Sequence, residues 1–262
     1  MHGVFAKLQK LDIFEHDLRD IYDRGFADFW DRYSQEMGQD IAHFAALLPP
    51  GGGRVLDLAC GSGRVGIALA EQGAQVDGVE LSQAMLDLVD ERLQHLTSGV
   101  RARLQFFQGD MCAFELPHRY DLIVVGATSI SLLLERAQRC AMFDRVRRHL
   151  APGGKFSFDV WNVDGDRWRK HHDDLDVLSI ERDDGQEFAI VGQQFCTEKR
   201  TIDLNIFREF IAWDGSTTRT LGYSRKAWLD DAELRTDLEA NGLRLLRQSH
   251  EHDTVLFVAV AA

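Results

Sequence analysis

No apolar run in this chain approaches the roughly 20 residues that a membrane-spanning helix needs. The opening stretch MHGVFAKLQKLDIFEHD lacks the basic and continuously apolar regions of a secretory signal. Cysteine is scarce, and Cys60, Cys112, Cys140 and Cys196 form no CxxC pair, which argues against a disulfide framework, a zinc knuckle or a redox couple. A reducing cytoplasm is therefore the expected compartment. No cluster of His, Asp and Glu has recognisable ligand spacing, so no metal is expected. Positive charge is in deficit, with 30 Lys and Arg against 42 Asp and Glu and a net charge of −12. Such a balance repels the phosphate backbone that dominates nucleic-acid affinity, so nucleic acid is not an expected partner, and without a long apolar run neither is a membrane. The one short basic cluster, Arg145, Arg147 and Arg148, falls at the end of a helical pattern, where the macrodipole favours cations.

What is present is an ordinary globular composition, 45% hydrophobic and 27% charged, in 262 residues. That length suits one α/β domain with an insertion, or two small domains. Residues 12–48 are rich in aromatics and carry apolar residues at helical spacing (Phe14, Leu18, Tyr22, Phe26, Phe29, Trp30, Tyr33), which predicts two or three helices before Pro49-Pro50-Gly51-Gly52. From there strands are expected at 54–60, 75–81, 103–109, 120–126 and 155–161, with helices at 64–73, 83–97 and 135–150. This alternation predicts a parallel sheet covered by helices on both faces, with right-handed crossovers. Short alternating stretches between Asp176 and Gly222, punctuated by Asp-Gly turns at 184–185 and 214–215, predict an antiparallel meander. A helix at 227–240 and strands at 243–249 and 254–260 close the chain. The expected organisation is an N-terminal helical lid over 1–50, a nucleotide-binding body over 51–161 and 226–262, and a β insertion over 162–225 that covers an acceptor pocket.

The stretch RVLDLACGSGRVGIALAEQGAQVDGVE, from Arg54 to Glu80, contains Gly61-Ser62-Gly63-Arg64-Val65-Gly66, a GxGxxG match. Its glycines allow close backbone approach to a ligand, and the following helix start presents free N–H groups. Glu80, about twenty residues on, is placed to accept hydrogen bonds from both hydroxyls of a ribose. A dinucleotide oxidoreductase using NAD is one reading, although GxGxxG alone is weak support for it. Two features depart from that fingerprint. Asp57 precedes the loop inside LDLACGSG, and Gly109-Asp110-Met111 closes the third strand with a carboxylate and a soft side chain suited to an adenine.

Taken in order, VLDLACGSG, VDGVELS, QGDM, YDLIVV and LAPGGKFSF resemble the successive motifs of class I S-adenosylmethionine-dependent methyltransferases over roughly residues 54–161. The resemblance implies a Rossmann-like, seven-stranded, mostly parallel sheet and S-adenosylmethionine as cofactor. It implies Ala59, Gly61 and Gly63 beside the methionine part, with Asp57 supporting the loop, Glu80 and Leu81 on the ribose, Met85 and Met111 on the adenine faces and Asp110 on its amino group. Gly126, Ala127 and Thr128 follow the fourth strand, where this family brings donor and acceptor together. Tyr22 and Tyr33, the segment GATSISLL, the meander and the terminal LFVAV resemble natural-product N-methyltransferases, notably the daptide-type ribosomal-peptide and amino-sugar N,N-dimethyltransferase groups. The implied substrate is an amine of a peptide or small molecule; O- and C-methylation stay open, as does assembly as a homodimer. Transfer from a sulfonium demands mainly alignment, but an amine must first lose a proton. Candidates for acceptor contact or proton transfer are Asp159 and Trp161 at the end of strand five, Tyr22 and Tyr33, and His171, His172 and Tyr223 near the insertion. Cys60 is expected to pack as a small apolar residue beside the cofactor.

Overall fold

The computed structural model describes residues 3–11, 19–23, 25–35, 39–162, 173–196, 198–251 and 253–262. Helix α1 (Gly3–Leu8), strand β1 (Arg19–Asp20), α2 (Ala27–Gln35) and α3 (Gln39–Ala45) lead into β2 (Arg54–Leu58), α4 (Arg64–Glu71), β3 (Gln75–Glu80), α5 (Gln83–Leu93), α6 (Ser98–Arg101), β4 (Leu104–Gln108) and β5 (Tyr120–Val125). A short 3-10 turn (Ser129–Leu132) precedes α7 (Arg136–His149) and β6 (Leu150–Trp161). Then come β7 (Asp173–Arg182), β8 (Gly185–Cys196), β9 (Thr201–Ala212), β10 (Thr217–Ala227), α8 (Asp231–Ala240), β11 (Leu243–Glu251) and β12 (Thr254–Ala261).

Seven strands form one sheet in the order β11-β12-β6-β5-β2-β3-β4, parallel from β6 through β4, with β12 antiparallel to both of its neighbours. The central strands are buried on both faces, as their near-continuous apolar sequences require. Period-two alternation divides them: Leu56, Leu58, Ile123 and Val125 face α7 and α8, while Val55, Leu122 and Val124 face α3 and α4. Because β5 and β2 are neighbours whose crossovers leave in opposite directions along the sheet, their carboxyl ends flank a crevice.

The meander is a second sheet, β1-β10-β9-β8-β7; the β7–β8 and β9–β10 hairpins turn near the Asp-Gly pairs read from the sequence, while β8 and β9 are joined through residues 197–200, which hold no such pair. The aromatic stripe of α2 serves this sheet: Phe26 and Phe29, with Ile21, pack on Ala189, Val191, Leu204 and Ile206. Two-residue β1 extends the sheet by pairing parallel to Gly222 and Tyr223, so the segment around Tyr22, expected to be helical, is a strand and turn. The Asp20 carboxylate accepts the Tyr22 N–H at 3.0 Å and favours that turn.

Other boundaries move for local reasons. The helix expected at 83–97 ends at Leu93, and Thr97 caps the separate α6 by accepting the Val100 N–H. The final helix starts at Asp231 because Asp230 accepts the N–H groups of Ala232 and Glu233, which leaves β10 to run on to Ala227. Strand β6 begins at Leu150, paired with Tyr120 ahead of the glycine turn.

Candidate active site

Strand β2 ends in a tight loop that α4 continues. Ala59 and Gly61 take positive φ angles of 52° and 57°, and Gly63, at 81°, is the α4 N-cap. A β-carbon on Gly63 would lie 3.2 Å from the Phe106 ring, so this glycine lets the loop close onto β4. Buried Asp57 holds the helix start, its carboxylate accepting the Gly66 N–H at 2.9 Å. Burial pushes its pKa up to about 7 despite that bond and nearby Arg64.

Glu80, the last residue of β3, accepts the Gly61 N–H at 2.9 Å and the Ser82 N–H at 2.8 Å. One carboxylate therefore joins the glycine loop to the first turn of α5, and burial raises its pKa. Ser82 caps α5 through the Met85 N–H and donates to the Tyr22 carbonyl at 2.5 Å, which ties the second sheet to this corner. After β4, Asp110 accepts the Cys112 N–H at 2.8 Å and shapes the Gly109–Cys112 turn.

These elements wall a cavity of about 870 Å³. That is ample for one nucleoside-sized ligand plus an acceptor, against the roughly 300–1,000 Å³ of small-molecule sites. Asp57, Ala59, Gly61, Glu80, Leu81, Met85, Asp110, Met111, Gly126 and Ala127 all line it, as do Tyr22 and Tyr223. Cys60 lines it too, buried, with its thiol held in the protonated form by desolvation. Four expected residues are placed otherwise. Gly63 packs against Phe106 behind the loop. Tyr33 stacks on Phe29 at 6.1 Å and against Trp30 at 5.7 Å, within the α2 face that meets the second sheet. Trp161 pairs with Thr254 at the strand end. Asp159 is buried beneath the cavity wall, both carboxylate oxygens accepting the Thr128 N–H at 3.1 and 3.0 Å, with its pKa pushed up to about 7 by burial and by nearby Asp40. His171 and His172 lie outside the described residues.

Several contributors escaped the sequence reading. Asp31 of α2 accepts from the Ser62 hydroxyl and from Arg92 at 2.9 and 2.7 Å, while Arg92 also donates to the Ser62 carbonyl at 3.2 Å. Asp40 of α3 takes both Arg64 amines at 2.7 and 2.6 Å. Two acids of the N-terminal region thus hold successive polar residues of the glycine loop. Asp31, Trp30, Ser224 and Arg225 join the cavity wall, Arg225 paired with Asp203 at 2.6 and 2.8 Å. Among the described residues no helix is long and apolar enough to cross a membrane, and none of their His, Cys, Asp and Glu side chains group as a metal site.

Residues 55–154 match the family of methyltransferase domains. The cypemycin N-terminal methyltransferase of a Streptomyces species is 26% identical over 86% of this chain and 87% of its own length. Other curated relatives match over only about half of their length, 54% and 43% for two Bacillus-group proteins. The CcbJ methyltransferase of Streptomyces caelestis superposes with a TM-score of 0.73 at 23% identity, covering 93% of this chain and 98% of that one. A glycopeptide N-methyltransferase, MtfA, solved with S-adenosylmethionine, gives 0.58 at 25% identity over 95% and 98% of the two chains. The cradle fits that cofactor: the loop leaves open space over Gly61, acids sit at the ends of β2 and β3, and Met85 and Met111 flank the cavity beyond them. Loop, acids and strand order agree with the family match on the donor and displace the dinucleotide reading: residues 55–154 form a methyltransferase domain, and the chain has the class I S-adenosylmethionine-dependent methyltransferase fold.

Proposed function

We propose that this methyltransferase acts on an amine of a peptide or small-molecule natural product. The observation that carries the reading is the composition of the cavity wall. There the rings of Tyr22, Trp30 and Tyr223 stand with Asp20 and Asp23, a surface suited to an ammonium group through cation–π attraction and charge. The names of the cypemycin and glycopeptide enzymes, both N-methyltransferases, support the same chemistry.

In this reading Asp57, Ala59 and Gly61 hold the methionine portion, Glu80 and Leu81 the ribose, and Met85, Asp110 and Met111 the adenine. Bound S-adenosylmethionine supplies an activated methyl on a positively charged sulfur, so the protein's task is alignment and exclusion of water. Trp30 and Tyr22, with ring centroids 5.8 Å apart and edge-on to one another, orient the acceptor. Asp20, whose pKa burial raises, takes the proton that an ammonium must lose. Tyr22 stays protonated, since burial moves its hydroxyl above the ordinary range, and it serves as a hydrogen-bond donor. The N-terminal helices act as a lid, and the setting is a reducing cytoplasm.

The test is methyl transfer followed by mass spectrometry, with a panel of peptides bearing free N-termini, amino sugars, phenols and carboxylic acids. Methylation of amines, abolished when the amines are acetylated and at least tenfold slower in Trp30→Ala, is the expected result. Turnover confined to phenols or carboxylates would overturn the amine assignment.

A further inference from the structure

Strand β10 carries Tyr223, Ser224 and Arg225 along the cavity wall, and its next residue, Lys226, turns away into the protein, where it is only 7% exposed. Its ammonium crosses from the second sheet to the carboxyl end of β5, donating to the Thr128 hydroxyl at 2.7 Å and the Ala127 carbonyl at 3.1 Å. From the other side Asp159 grips the Thr128 N–H with both carboxylate oxygens. Ala127 and Thr128 both sit at positive φ, 53° and 56°, a conformation that residues with a β-carbon rarely hold unless their surroundings enforce it. The turn is confined from behind as well, since a β-carbon on Gly126 would meet Asp40 at 3.0 Å and Phe44 at 3.2 Å. Gly126 and Ala127 line the cavity.

We propose that Lys226 is a positioning residue: with Asp159 it clamps the strained Gly126–Thr128 turn to the acceptor sheet and so sets the alignment between methyl donor and acceptor. Burial of a lysine beside a single carboxylate is a costly choice for a surface-compatible side chain, and desolvation pulls its pKa down to about 8. The adjacent charges are Asp159, in the same network, and the Arg64–Asp40 pair, which acts on Asp159 from α3 and α4.

The proposal rests on the amine-methylation reading only for its kinetic readout, so a second readout stands apart from any acceptor. In Lys226→Met and in Thr128→Val, hydrogen exchange of the segment 126–133 should speed up by about tenfold or more, while the glycine loop and the melting behaviour stay close to wild type. Thr128→Ser, which keeps the hydroxyl, should retain protection. Ala127→Gly should restore protection in the Lys226→Met background, because glycine takes the left-handed angle without help. With an amine that the wild type turns over, kcat in Lys226→Met should drop by about tenfold to a hundredfold, with KM and the S-adenosylhomocysteine Kd within about threefold. Unchanged exchange at 126–133 in a folded Lys226→Met protein would overturn the clamp. So would a Kd for S-adenosylhomocysteine that weakens in step with kcat, or failure of the glycine to rescue. If no amine in the panel is turned over, the exchange experiment still decides the clamp, and only the substrate reading fails.

Discussion

Glu80 combines two duties that pull on the same carboxylate, closing the glycine loop through Gly61 and the α5 cap through Ser82 while facing the cavity. A charge-assisted hydrogen bond is worth about 1.5–3 kcal/mol, so Glu80→Ala should weaken S-adenosylhomocysteine binding by about tenfold or more in calorimetry. Glu80→Gln, which keeps one acceptor oxygen, should lose less. Asp57 makes a different statement. Its pKa stands at about 7 in the cofactor-free fold against 3.8 in the unfolded chain, through burial opposed by the Gly66 N–H and Arg64 and reinforced by Asp40 and Glu80. Between those two values the folded protein keeps a proton that the unfolded chain has released, so this contribution to stability is present at low pH and lost as pH rises through about 7. The stability of Asp57→Asn relative to wild type should therefore improve steadily from about pH 5 to about pH 7.5 in denaturant titrations without cofactor. A flat difference would show that Asp57 ionises normally in the fold. Glu80 was legible in the sequence because strand length and fingerprint spacing place a strand-end acid. The role of Asp159 was not, because only the fold reveals that Thr128 stands between it and the cavity.

Among the elements, α2 joins the two sheets. Its inner face packs on β8 and β9, while Asp31 reaches the opposite way to Ser62 and Arg92. The second-sheet side is anchored on Glu187, fully buried and ringed by Arg32 of α2, Arg182 of β7 and Arg208 of β9. Removing one member of a buried ion cluster leaves the others without compensation, so Glu187→Ala should cost about 3–5 kcal/mol in chemical denaturation. Asp31→Ala removes the link to the glycine loop and should raise the Kd for S-adenosylhomocysteine with a smaller loss of stability, since Arg92 remains partly solvated. The helical period of α2 was visible from Phe26, Phe29, Trp30 and Tyr33. Which sheet the stripe would face was not, because an apolar face specifies burial and leaves the burying partner unnamed. The two-residue β1 is a sharper case: Leu18 and Tyr22 fit a helical pattern, and the pairing of Arg19 and Asp20 with Gly222 and Tyr223 overrode it.

For the whole molecule, the charge of −12 is shared by the cavity, where Asp20, Asp23, Asp31, Glu80 and Asp110 outnumber Arg64 and Arg225, even with Asp57 left out as partly protonated. Both of those arginines are already paired, with Asp40 and Asp203. A negative cleft concentrates cationic ligands, so KM for a cationic amine should rise several-fold between about 20 and about 300 mM salt, while a neutral acceptor should show little change. The succession of strands and helices and the turns near Asp184-Gly185 and Asp214-Gly215 could be read along the chain, because each depends on local chemistry: period, glycine and turn-forming acids. What only the tertiary structure decided is the meeting of distant segments. Asp31 reaches Ser62, Asp40 reaches Arg64, and Lys226 spans 98 residues to Thr128. Such contacts depend on packing between sheets and have no spacing signature, so the methyl donor is written in the sequence while the shape offered to the acceptor is set by the fold.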